Sequence, residues 1–369
     1  MRFPGFEGEW ESCELCDIAE FSKGAGISKD QRSSDGNPCI LYGELYTTYL
    51  TEIIDEVVSK TNLDPKGLVN SKVNDIIIPA SGETAIDIST ARCVIHDHVL
   101  LGGDLNIIRL KEQDGKFFSY QLNGVRKKDI ARIAHGVSIV HLHGNALSHI
   151  VVNYPSRREQ EKISRLLSLI DQRIALQNKV IEKYETLIKA LRHHIFSTIE
   201  PVKEVSFADV LSYEQPTKYI VSDTEYSHNK ELTPVLTANK AFILGYTKEV
   251  EGVYDKGPCI ILDDFTLDSK IVDFPFKVKS SVIKILSAKT TVCLRYIFEY
   301  LKFLDLNTEE HKRHYIAEIE PMAIELPEDR TIQSIASLFV RMDQHKKGLE
   351  RDLKLLKSQK DYLLRALFI

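Results

Sequence analysis

One stretch of 42 residues occurs twice in this chain, and each copy has to bury one side of itself. Residues 155–196 read PSRREQEKISRLLSLIDQRIALQNKVIEKYETLIKALRHHIF, and residues 327–368 read PEDRTIQSIASLFVRMDQHKKGLERDLKLLKSQKDYLLRALF. Superposed without a gap at an offset of 172, they share the leading proline, Arg158/Arg330, Ile163/Ile335, Leu166/Leu338, Asp171/Asp343, Gln172/Gln344, Leu191/Leu363 and the closing phenylalanine. This is an internal duplication. Ile174, Ile181, Ile188 and Ile195 recur every seven residues, with Ile170, Tyr184 and Leu191 three or four places away. In the second copy Met342, Leu349, Leu356 and Leu363 form one line, and Leu353 and Leu367 form the other beside Lys346 and Lys360. A heptad of this kind is a coiled-coil seam. No proline follows the first in either copy, so each predicts one helix of roughly 60 Å at about 1.5 Å per residue.

A single stripe of this kind reads as a homodimerising coil. Two in one chain, joined through about 130 residues of globular-looking sequence, are more economically packed side by side and antiparallel within one molecule. The helices then act as a spacer between two modules, with Gln177, Lys346 and Lys360 in the seam fixing register at some cost in stability. The expected division is 1–154, first module; 155–199, first helix; 200–326, second module; 327–369, second helix. The fold class is α+β, two tandem mixed α/β modules separated by an intramolecular antiparallel coiled coil.

The modules repeat each other in outline. In the first, residues 37–42, 75–79 and 104–110 read as strands, as do Phe117 and Phe118. Residues 48–58 form an amphipathic stretch, 119–134 read as a helix, and 137–142 and 149–152 close the module. In the second, residues 233–237, 257–262 and 278–286 correspond to those strands, and 291–304 to the helix. The 369 residues suit two cores plus helices. No apolar run approaches the roughly 18 residues of a membrane span, and the start MRFPGFEGEW lacks a basic and then apolar leader, so the expected location is the cytoplasm.

Charge is divided unevenly. The net value is −5, but the two helices together carry +7 and the rest −12. A nucleic-acid partner would therefore meet local positive patches and be held weakly by this chain alone. Six scattered cysteines include one close pair, Cys13 and Cys16. Without a second pair or histidines at zinc spacing, these read as buried thiols, and the pairs His96/His98, His141/His143 and His193/His194 as ordinary histidines, with no metal site.

Catalytic motifs are missing. The sequence has no GxGxxG after a strand, no phosphate-binding GxxxxGK[ST], no GxSxG elbow and no [DNS]PP[YFW]. Asp263-Asp264 is the best acidic pair at a strand end, and it lacks a downstream ExK. Nucleic-acid contacts are easier to place. Phosphates need Lys or Arg, and base edges need hydrogen-bonding side chains. Lys23, Lys29 and Arg32 share a loop with flexible glycines, with Tyr46 nearby. In the second module Lys218, Tyr219, Asn239, Lys240, Tyr246, Lys277 and Lys279 make a similar set. The spacer seam is assigned to Ile174, Ile181, Ile188, Leu349, Leu356 and Leu363.

PSRREQEKI at 155–163, followed by Leu169-Ile170-Asp171 and set between two modules and a second helix, resembles the specificity subunit of type I restriction-modification systems. Residues 15–24 and 38–46 look like the start of its first target-recognition domain, and 243–247 and 262–277 like parts of a second. The second helix departs from the pattern, with Thr331-Ile332 in place of Glu159-Gln160. The resemblance implies a non-catalytic reader of a bipartite, asymmetric site in double-stranded DNA, the helix pair setting the unspecified gap. It further implies two docked modification (methyltransferase) subunits that bring S-adenosylmethionine, with no cofactor on this chain, and restriction/translocase subunits that add cleavage. The alternatives are a non-DNA coiled-coil scaffold and a free-standing DNA enzyme. A gel shift with and without a methyltransferase partner separates all three.

Overall fold

The structure, a computed structural model, describes residues 2–237, 242–289, 292–306 and 314–368. It divides into two compact units, Met1–Lys179 with Arg351–Ile369, and Val180–Glu350. The sequence reading cut the chain into four consecutive segments, whereas packing gives each unit a piece of both long helices.

At the centre of the first unit is a five-stranded sheet in the order Ala19–Lys23, Leu105–Leu110, Asp75–Pro79, Arg92–Val94, Ile53–Ile54. The run Asp75–Pro79 is buried throughout, as a strand covered on both faces must be. Side chains alternate between faces, and the core follows that alternation. Ile76, Ile78 and Ile108 join Phe117 and Phe118 in one cluster, while Ile77, Ile107 and Leu105 join Ile40 and Leu45 in another. Each buried isoleucine contributes roughly 1.5–3 kcal/mol. A smaller sheet, Leu100–Leu101, Asn37–Ile40, Ser59–Thr61 and Arg32–Ser33, lies in the same unit. A ribbon of Glu11–Glu14 against Val151–Tyr154 closes the unit beside the first long helix.

The second unit repeats this plan. Its main sheet runs Leu211–Glu214, Ile283–Ala288, Cys259–Asp263, Ser269–Val272, with Ile260 and Leu262 in one cluster and Ile261 and Ile285 in another. The parallel pairing of Asn37–Ile40 with Leu100–Leu101 returns as that of Thr233–Leu236 with Lys277–Val278. The closing ribbon is Lys203–Ser206 against Ala323–Leu326.

Two readings need correction. Phe117 and Phe118 lie in a helix, Gly115–Asn123, not a strand; a two-residue apolar pair carries no period to tell the two apart. The helix read at 119–134 ends at Asn123, because Gly124 takes a ψ of −105°, outside the helical region, and the chain resumes as Lys127–Arg132. Within the amphipathic stretch 48–58, Ile53 and Ile54, β-branched, pair in parallel with Cys93 and Val94 at the sheet edge.

The long helices span Arg157–Thr198 and Asp329–Leu367. In the first unit Ile163 and Leu167 pack with Leu363, Leu364, Leu367 and Phe368, and Lys360 Nζ meets Asp171 at 2.6 Å. In the second unit the Tyr184 and His345 rings lie 5.0 Å apart, Lys346 Nζ is 2.6 Å from Glu185, and the Arg192 guanidinium covers the Phe339 ring at 5.5 Å. As numbering rises along one helix it falls along the other, so within each unit the pair is antiparallel. Ile188 is buried, and Ile174, Ile181, Leu349, Leu356 and Leu363 are half-buried. Among the described residues no helix is long and apolar enough to cross a membrane.

Candidate nucleic-acid interface

The start of the first helix explains the REQ triplet in structural terms. Gln160 is fully buried; its Oε1 accepts from the Asp114 N–H at 2.9 Å and its Nε2 donates to Pro155 O at 2.8 Å. Glu159, also buried, accepts from the Phe3 N–H and pairs with Arg2 at 3.0 Å. Where the second helix carries Thr331-Ile332, Ile332 is buried in the apolar core. One helix is anchored by polar side chains and the other by packing.

The loop of residues 23–32 separates into two sites. Lys29 and Arg32, both exposed, line a cavity of about 390 Å³ with Tyr42, Thr47 and Thr48. Its floor is Glu44, a buried carboxylate that accepts from the Leu41 N–H at 2.9 Å and from the Ser59 hydroxyl. Arg32 Nη1 stands 3.7 Å from Glu44 Oε1, so its charge is partly answered within the protein. Lys23 lies elsewhere, at an open groove of about 630 Å³ with Asn106, His143 and Asn145. The glycines read as flexible are constrained. A Cβ on Gly24 would meet Gly102 O at 2.1 Å, so only glycine permits that approach. Tyr46 is half-buried, its hydroxyl beside Gly43, and burial raises its pKa.

In the second unit two of the named residues leave the candidate set. Tyr219 is core, its ring 5.3 Å from Tyr254 and its hydroxyl donating to Glu214 at 2.8 Å. Lys277 is 3 % exposed, with Nζ held by Glu249 at 2.6 Å and by Glu251 O at 2.7 Å. The Lys277 ammonium keeps the Glu249 carboxyl below its usual pKa. Lys277 looks like a surface group in the sequence because Glu249 is distant along it, as is Tyr254 from Tyr219. Lys279 is exposed and Tyr246 half-exposed on the strand Ile243–Thr247. Asn239 and Lys240 lie outside the described residues.

Lys218 is exposed and joined by Lys256, which the sequence reading passed over. Both ammonium groups reach Glu214, at 2.7 and 2.8 Å. Partial burial alone would raise the Glu214 pKa, but hydrogen bonds from Lys218, Lys256 and Tyr219 outweigh it and pull the value down to about 2. The patch is two lysines sharing one carboxylate, cationic by one charge at neutral pH.

The acidic pair is structural. Asp263 Oδ1 accepts from the Phe265 and Thr266 N–H groups, and Asp264 pairs with the buried Lys284 at 3.2 Å and accepts from the His314 and Tyr315 N–H groups. Both carboxylates hold the backbone around them in place.

The family described as "Type I restriction modification DNA specificity domain" matches residues 7–186. Over 132 residues the chain is 42% identical to the "Type I restriction enzyme EcoR124I/EcoR124II specificity subunit" of Escherichia coli, a match spanning 34% of this chain and 32% of that protein. The chain thus covers about a third of that relative's length. In fold it is similar to the "Type-I restriction-modification system S subunit from M. genitalium", with a TM-score of 0.66 at 16% identity over 100% of this chain and 99% of the other. A chain from a structure titled for complex assembly and conformational transition of the type I R-M system follows, with a TM-score of 0.60 at 12% identity over 97% of each.

Proposed function

We propose that the chain, whose residues 7–186 match the type I restriction-modification DNA specificity family, is the non-catalytic DNA-reading subunit of such a complex. Each unit reads one half of a bipartite, asymmetric site in double-stranded DNA. The observation that carries the reading is the duplication. Two units share a strand order, and each takes a stretch of the same two helices. A protein with two similar readers and one spacer suits a site with two specified halves and an unspecified gap. Lys29 and Arg32 in one unit and Lys218, Lys256 and Lys279 in the other are the cations offered to phosphates.

Modification subunits dock, in this proposal, on the outward sides of the helices. Leu169 and Leu176 are 49% and 62% exposed, seven residues apart, and Leu355 and Tyr362 repeat that spacing at 62% and 60%. A heptad of exposed apolar side chains fits a further helix laid alongside. S-adenosylmethionine is carried by those partners and not by this chain, and restriction/translocase subunits join through them.

Changing Lys29 and Arg32 together to alanine, in the complete complex with its methyltransferase, tests the reading. Sequencing of methylated DNA should show one half-site relaxed or weakened and the other unchanged. Equal change in both halves, or none in either, would sink the idea of independent readers.

A further inference from the structure

The ribbon that closes the first unit brings His149 beside Glu14 and Cys16, three side chains of metal-ligating type, although His149 is far from the other two in sequence. Glu14 ends the strand Glu11–Glu14, Cys16 sits in the short helix Leu15–Ile18, and His149 stands two residues before the strand Val151–Tyr154. Glu14 pairs with Val151 across the ribbon, and the Leu15 N–H donates to Ile150 O at 3.1 Å. Glu14 Oε2 is 2.8 Å from His149 Nδ1 and 3.6 Å from Cys16 Sγ, and the three donor atoms lie within 4.8 Å of one another. Sulfur, nitrogen and oxygen ligands around a tetrahedral Zn²⁺ stand about 3.3–3.6 Å apart. Small rotations of exposed side chains close that difference. The reading of the cysteines as buried thiols fails here, since Cys16 is exposed.

The second unit shows that the fold does not demand these residues. Its ribbon pairs Ser206 with Ala323 as the first pairs Glu14 with Val151. The corresponding triad is Ser206, Ala208 and Pro321, none of which has a thiol, imidazole or carboxylate. Fold and duplication are alike, and only the first copy carries donors.

We propose that Glu14, Cys16 and His149 form a site for a borderline divalent ion, Zn²⁺ foremost, with the fourth position open to solvent. A thiolate, an imidazole and one carboxylate select Zn²⁺ or Co²⁺ over Mg²⁺ and Ca²⁺, which prefer all-oxygen sets. Binding forms metal–sulfur, metal–nitrogen and metal–oxygen bonds and releases the Cys16 thiol proton to solvent, with no change of oxidation state. Without an ion, slight desolvation and the neighbouring Asp17 and Glu14 carboxylates disfavour the thiolate. A cation there reverses that balance. Cys13 is not a ligand in this arrangement, its Sγ being turned to the Tyr154 hydroxyl at 3.9 Å. The ion would tie the residues that open the first unit to those that close it.

Titrating the full-length reduced chain with Co²⁺ and following the thiolate-to-cobalt charge-transfer band tests the site directly, with Zn²⁺ then displacing the Co²⁺. The expected result is a single equivalent that weakens more than about tenfold in Cys16→Ser and in His149→Gln, and is unchanged in Cys13→Ser. Far-UV circular dichroism of the variants should match the parent, because Cys16 and His149 are exposed. Absence of a thiolate band, equal affinity in the Cys16→Ser variant, or loss of the ion in Cys13→Ser would overturn the assignment.

Discussion

Replacing Lys360 by methionine should destabilise the first unit much more than an exposed lysine would. Its ammonium lies 2.6 Å from Glu52 and 2.6 Å from Asp171, and the three side chains are only 14%, 9% and 8% exposed. The Tyr120 hydroxyl also donates to Asp171, at 2.6 Å. Methionine keeps most of the volume and removes the charge, leaving two buried carboxylates with less compensation. Breaking a buried pair from one side costs about 3 kcal/mol or more. Against a slope of about 2 kcal/mol per molar urea, a loss of that size lowers the unfolding midpoint by about 1.5 M. The chain supplies its own reporter, since its single tryptophan, Trp10, packs on Phe117 in the same unit at 5.8 Å. The effect should also depend on pH. Burial holds Glu52 above the usual carboxylate pKa, with the Lys360 ammonium pulling the other way. Without Lys360, burial is less opposed, so between the unfolded and folded pKa values the folded state holds a proton that the unfolded state has lost. Stability of the variant must then fall as pH rises through that interval, and the penalty at pH 8 should exceed that at pH 5. An unchanged midpoint, or a penalty that grows toward acid, would refute the argument.

Glu214→Gln should free Lys218 and Lys256 and make the salt dependence of DNA binding by the complex steeper by about one to two phosphate contacts; an unchanged slope would mean that this patch does not face DNA. Because Glu214 titrates near 2, its ion pairs persist above the usual carboxylate pKa and fade only as pH falls toward that value, so mild acid should not imitate the substitution. Ile188→Asp places a carboxylate in a site 7% exposed, and several kcal/mol of stability should go with it, seen as a lower melting temperature of the second unit. Matched seven-residue insertions after Lys179 and after Arg351 add about 10 Å to each helix, or about three base pairs at 3.4 Å each. Methylome sequencing should then report a longer gap with the same bases read at each end, or no activity if the added rotation is not absorbed; the original gap at full activity would show that the helices are not the ruler.

Periodicity made the long helices legible. Twelve turns of apolar residues at heptad spacing and a gapless second copy leave few alternatives, and the run Asp75–Pro79 is too apolar for anything but an interior strand. What escaped the sequence was charge that is paired at a distance. Lys277 and Lys284 are written among apolar residues much as surface lysines are, and only the fold brings Glu249 and Asp264 to them. Glu52 lies 308 residues from Lys360, a separation across which no local pattern reaches. The candidate DNA contacts suffer most from this, because a cation held by a carboxylate and one free to meet a phosphate look the same in the sequence. Cys16, read as a buried thiol, is exposed, and nothing in the residues next to it in sequence distinguishes it from a buried one.

The first unit is assembled from two separated lengths of chain, and this imposes an order on its synthesis. Residues 180–350 leave the ribosome as one continuous piece and contain all of the second unit. The first unit, although most of it is made earlier, waits for Leu367 and Phe368, which are 3% and 1% exposed and close its core beside Phe117. Until they emerge, that core presents an open apolar face for the time needed to translate the whole second unit. A chain without Leu367 and Phe368 would therefore weaken the unit translated first and leave the later one intact.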